Sequence, residues 1–106
     1  MKPAEIFYEV VMQVREAVAA AKKYVSEIFS EERIMQLTLE EVEFDEATEI
    51  WNITVGFSWP WDVPQNALSL MTRDLSQWRR RYKVIRISDK TGKLLSIKNR
   101  EPADAG

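Results

Sequence analysis

Between Glu49 and Trp59 the chain alternates without a break. Trp51, Ile53, Val55, Phe57 and Trp59 are apolar, and Asn52, Thr54, Gly56 and Ser58 between them are small or polar. Successive side chains of a strand leave on opposite faces, so this stretch predicts a strand with one face that another layer must cover. From Pro3 to about Phe29 the period changes. Ile6, Phe7, Val10, Val11, Val14, Ala17, Val18, Ala21, Tyr24, Val25, Ile28 and Phe29 recur at i, i+3, i+4 and i+7, which predicts one long helix with a wide apolar face. Pro3 suits a first helical turn, and Glu5 complements the helix dipole there. Such a helix is about 40 Å long, more than the diameter of about 35 Å expected for a domain of this size, so an overhanging apolar turn would invite a partner.

The remaining pattern supplies three more strands. Ile34 to Phe44 reads as a strand in two phases: Met35, Leu37 and Leu39 share one parity, and Val42 and Phe44 the other. A bulge at Glu40-Glu41 accounts for the change of face. Asp45 to Thr48 is the turn into the Glu49–Trp59 strand. Arg81–Ser88 and Lys93–Lys98 then form a hairpin around Asp89-Lys90-Thr91-Gly92, with Asp opening and Gly closing the turn. Ile85, Ile87, Leu95 and Ile97 are its expected core residues, while Tyr82 and Val84 point to the other face. Between the two hairpins, Pro60 and Pro64 exclude a regular ladder. Leu68, Met71, Leu75 and Trp78 allow a short helix over about 67–76, with Asn66 as its N-cap.

The expected fold is therefore α+β: a long N-terminal helix on a four-stranded antiparallel sheet made of two hairpins, with an irregular Pro/Trp segment between them. As a meander, its edges are the first strand, which carries Glu40, Glu41 and Glu43, and the short last one. Residues 1–98 form one domain, and 99–106 a flexible tail.

Composition narrows the chemistry. The 106 residues include no cysteine and no histidine. Thiol nucleophiles, zinc–thiolate sites, Ser-His-Asp triads and histidine-ligated metals are all excluded. The glycines number three, with no phosphate-binding loop. Six acids lie between Glu40 and Glu49, but without the spacing of a calcium loop, and they read as a solvated hairpin. An enzyme is not expected, nor a cofactor. A net charge of −2 is no footprint for nucleic acid. No run approaches the length of a membrane span, and the leading segment is too interrupted by charge for a signal peptide, so a cytoplasmic protein is expected.

The closing hairpin, with Tyr82, Val84 and Ile87 followed by Thr91-Gly92 and Leu94, resembles the terminal hairpin of PepSY-type domains. The order of elements is similar to the PepSY and cystatin-like arrangement, in which a sheet wraps one helix. The resemblance implies a small binding or inhibitory module of bacterial type, often associated with peptidases, and it transfers no functional residue.

Four surfaces are candidates for function. Trp59, Trp61 and Trp78 flank the irregular segment with Arg79, Arg80 and Arg81, and tryptophan and arginine dominate interface hot spots. This points to a protein or peptide partner bound through Trp59–Arg81, although the same rings can instead cap the end of the core. Tyr24, Phe29, Trp51 and Phe57 can line a ligand pocket between helix and sheet. Arg73, Arg79, Arg80, Arg81, Lys83 and Arg86, interleaved with aromatics, are the third candidate, a grip on single-stranded nucleic acid. Against that reading, the acids of the first hairpin can pair with these cations across the sheet. The polar face Asn52, Thr54, Gly56 and Ser58 is either solvated or the seat of a second copy, giving a homodimer.

Overall fold

The computed structural model describes residues 12–63 and 79–100. Helix α1 (Val14–Ile28) is followed by a 3₁₀ turn (Ser30–Glu32) and strands β1 (Met35–Asp45) and β2 (Ile50–Ser58). A second 3₁₀ turn (Pro60–Asp62) follows, and then β3 (Arg81–Ser88) and β4 (Leu94–Asn99). The four strands form one antiparallel sheet in the order β1-β2-β3-β4, the expected meander of two hairpins. Among the described residues no helix is long and apolar enough to cross a membrane. The helix expected over 67–76 lies outside the described residues, as do Trp78 and Arg73.

The helix begins at Val14 rather than at Pro3. Gln13 has an extended backbone, with φ −84° and ψ 158°, and forms a capping box with Glu16, whose Oε1 accepts the Gln13 N–H at 2.8 Å. Once the backbone is extended at Gln13, the helical period does not run through it; residues 1–11 lie outside the described chain. The apolar face expected from the sequence is used along the described helix, where Val18, Tyr24 and Phe29 pack on the core beside one fully buried line. Ala17, Ala21 and Val25, four residues apart, are fully buried, while Val14 and Ile28 at the helix ends are 46% and 51% exposed. Small side chains along that line let the helix lie close to the sheet, where it packs on β1, β2 and β3.

The alternation in β2 is realised. Trp51 is 7% exposed, and Ile53, Val55 and Phe57 are inaccessible; with Ile85, Ile87 and the helix line they make up the core. Leu39, Val42 and Phe44 stand opposite Val55, Ile53 and Trp51, so the apolar parity of β1 changes between Leu39 and Val42. A register shift between Leu39 and Glu41 performs that change, at the expected Glu40-Glu41 position. A second irregularity between Met35 and Thr38 had no sequence signal. It coincides with a left-handed Gln36, φ 54°, a conformation that costs a non-glycine residue about 1 kcal/mol.

In the second hairpin Gly92 adopts φ 72°, and its N–H donates to the Ser88 carbonyl at 2.8 Å. Leu95 is not a core residue. Arg86 pairs with Ser96 but Ile87 pairs with Leu94, so a bulge at Leu95 turns that side chain out, 48% exposed, and turns Leu94 in against the core. The domain also continues past residue 98. Asn99 ends β4, and Arg100 donates its N–H to the Tyr82 carbonyl at 3.0 Å.

Candidate functional site

At one end of the helix–sheet interface the aromatic residues collect. Helix α1 delivers Phe29 as its C-cap, and β2 delivers Phe57 followed by Trp59 on the same face. The ring centroids of Phe29 and Phe57 are 5.7 Å apart, those of Phe29 and Trp59 5.7 Å, and those of Phe57 and Trp59 5.1 Å in an edge-on arrangement. Trp59 is half-buried and closes this end of the core. Pro60 then starts a 3₁₀ turn that lifts Trp61 back over it. The two indoles stack at 5.2 Å with planes 7° apart, and Trp61 remains 67% exposed. The two tryptophans are therefore placed differently: Trp59 closes the end of the core, and Trp61, stacked on it, presents its ring to solvent.

The arginines do not act as one patch. Arg79 is exposed. Arg80 is half-buried and reaches across the sheet, donating to Thr38 Oγ1 at 2.7 Å and Ser58 Oγ at 3.3 Å. Burial pushes its guanidinium down from the ordinary arginine value, against the opposing pull of Glu40. Arg81 turns to the helix side and meets Asp62 of the 3₁₀ turn at 3.5 Å. Its Nε is buried and has no hydrogen-bond partner.

Charges do cross the sheet to the first hairpin, but through Arg100, which sequence reasoning placed in a tail. Its Nη1 bonds to Glu41 Oε1 and lies 3.1 Å from Thr54 Oγ1. These long side chains explain why the polar face of β2 is covered from Thr54 to Ser58, while Asn52 stays half-buried. Thr54 is 4% exposed and Ser58 is inaccessible. A Cβ added to Gly56 would lie 2.9 Å from Glu40 Oε2 and 3.0 Å from the Tyr82 ring, so the close approach that glycine permits is used by the protein's own side chains.

The four residues read as a pocket lining divide between two places. Phe29 and Phe57 belong to the aromatic end just described. Trp51 stacks obliquely on Phe44 at 4.8 Å, and its Nε1–H donates to Asp89 Oδ1 at 2.9 Å. Tyr24 donates its hydroxyl to the Gly92 carbonyl at 2.9 Å. Asp89 itself is inaccessible, and its Oδ1 also accepts the Met12 N–H at 2.9 Å. Its own N–H donates to the Glu49 carbonyl, and Lys90 pairs with Glu49 at 3.0 Å. The turn residue Asp89 thus ties together the helix start, the core and both hairpin turns. Its sequence signal was a turn opener alone, with nothing local to reveal the burial.

Beside the aromatic end lies a pocket of about 240 Å³, lined by Trp59, Arg81, Tyr82, Lys83 and Asn99, with Arg80 and Arg100 completing the wall. Among the described residues no group of three or more acids is placed to hold a metal ion. The arrangement offers an aromatic surface next to nitrogen donors. Compared with known proteins, the chain matches no family model, no curated protein and no solved structure.

Proposed function

We propose that this protein is a small cytoplasmic protein-interaction or regulatory module that binds a protein or peptide through the Trp59–Arg81 segment. The observation that carries the reading is the Trp59–Trp61 stack, with Trp61 67% exposed above a ring anchored on Phe29 and Phe57. An exposed indole normally loses side-chain freedom when a partner covers it. Here stacking already restricts the ring, so less entropy is lost on binding. Arg79 within the segment adds an exposed residue of the same hot-spot type. The resemblance of the closing hairpin to PepSY-type domains supports a binding or inhibitory module in the same sense. Nucleic-acid binding through the basic stretch is supported less well, because Arg80 and Arg81 are already engaged by Thr38, Ser58 and Asp62.

Two substitutions separate recognition from stability. Trp61→Ala removes an exposed ring and is expected to leave stability within about 0.5 kcal/mol while abolishing capture of the partner in an affinity pull-down read by mass spectrometry. Trp59→Ala is expected to cost about 2–3 kcal/mol in urea unfolding, since it opens the end of the core. If Trp61→Ala captures every partner that the wild type captures, the segment is a cap and not a recognition surface.

A further inference from the structure

The pocket next to the tryptophan stack contains an unbalanced positive charge. Lys83 stands opposite Val55 in β2 and Asn99 in β4, on the helix side of the sheet, with its Nζ 5.7 Å from the centre of the Phe29 ring. Its hydrogen-bond acceptor is the neutral amide oxygen of Asn99. Two residues earlier on the same face is Arg81, also positive. Burial first, and then the charge of Arg81, push the Lys83 ammonium down from the ordinary lysine value. Of the other cations of the wall, Arg81 is paired with Asp62 and Arg100 with Glu41, and Arg80 donates to hydroxyls on the polar face of the sheet in the field of Glu40. Among the described residues no carboxylate lines the pocket itself.

The geometry points to this pocket as the seat of one carboxylate from the bound partner, held by Lys83 Nζ beside Asn99 while the adjoining apolar part of the partner lies on Trp59 and Trp61. A half-buried ammonium beside a like charge is unfavourable until an anion reaches it. One uncompensated unit of charge matches a carboxylate better than a phosphate dianion. The volume of about 240 Å³ is below that of a typical small-molecule site, as expected if a single acidic group enters rather than a whole ligand. Lys83 and Asn99 are joined across β3 and β4, so the donor is presented from a sheet rather than from a loop. This inference rests on the peptide-binding reading and names the chemistry of the partner.

The test uses the full chain and small probes followed by amide and lysine-side-chain NMR: N-acetylglutamate amide for a side-chain carboxylate, N-acetylalanine for a terminal one, N-acetylglutamine amide as the neutral control, and inorganic phosphate. Either carboxylate probe is expected to give saturable shifts at Lys83 and Asn99. The probe that binds tighter identifies which carboxylate the partner offers. Binding is expected to raise the Lys83 pKa, and Lys83→Gln to weaken it about tenfold, in line with the loss of one charge-assisted hydrogen bond. Shifts of equal size with the neutral control, tighter binding of phosphate, or an unchanged affinity in Lys83→Gln would each overturn the assignment. So would no saturation by either carboxylate at molar concentration. Trp61→Ala distinguishes the two readings. If the carboxylates still bind but Trp61→Ala captures the partner normally, peptide recognition fails; if Trp61→Ala loses the partner but no carboxylate binds, only the anion site fails.

Discussion

Asp89 is the residue whose environment departs furthest from its type. A carboxylate with no solvent access persists only when donors surround it, and here the Trp51 indole and the Met12 amide both point at Oδ1. Asp89→Ala leaves two donors without an acceptor. The expected cost is about 3 kcal/mol, or a fall in Tm of about 10 °C or more. Trp51→Phe removes one donor and keeps most of the packing, so its cost should be about 1 kcal/mol. Thermal unfolding of the two variants checks this, and an Asp89→Ala protein that melts like the wild type would show that the acceptor is dispensable. Sequence reading found the turn at Asp89 but not this role, because nothing within a few residues of Asp89 reveals that Met12 and Trp51 meet it.

The elements were largely legible. Period two marked β2, and in β1 the change of parity between Leu39 and Val42 marked the bulge, because a buried face must stay apolar while the register shifts. The helix start was misplaced, because the helical apolar spacing runs on from Val10 and Val11 to Val14 although the backbone at Gln13 between them is extended. The β4 bulge was missed for a related reason. Leu94 and Leu95 are adjacent and identical, so no pattern says which one faces inward. The structure says Leu94. Leu94→Ala is therefore expected to cost about 1–2 kcal/mol and Leu95→Ala less than about 0.5 kcal/mol in chemical denaturation. The reverse order would mean that β4 pairs without its bulge.

At the scale of the whole molecule two layers share one core, and the separation between them depends on Ala17 and Ala21, both inaccessible. Ala21→Leu inserts volume where the helix meets the sheet, and about 1–3 kcal/mol should be lost. Ala19→Leu, on the exposed side of the same helix, should change the urea midpoint little, and equal effects of the two would place the interface elsewhere. The candidate site belongs to this scale as well. Trp59 and Trp61 were recognisable in the sequence as an aromatic pair around a proline, but which of them caps and which is exposed follows from the 3₁₀ turn at Pro60–Asp62 folding one ring over the other.

By itself the sequence determined the α+β class, the meander of two hairpins, the apolar face of β2 and the closing turn at Gly92. Each is decided by side-chain parity or backbone conformation within a few residues. Only the tertiary structure decided that the polar face of β2 is covered from Thr54 to Ser58, that Asp89 is buried and that Lys83 faces no carboxylate among the described residues. Those outcomes depend on long side chains such as Arg80 and Arg100 spanning strands whose residues are 42 and 59 positions apart in the chain, and on which charges find partners there. A local pattern contains no information on such distances, because reach and charge compensation are settled only once the strands lie side by side.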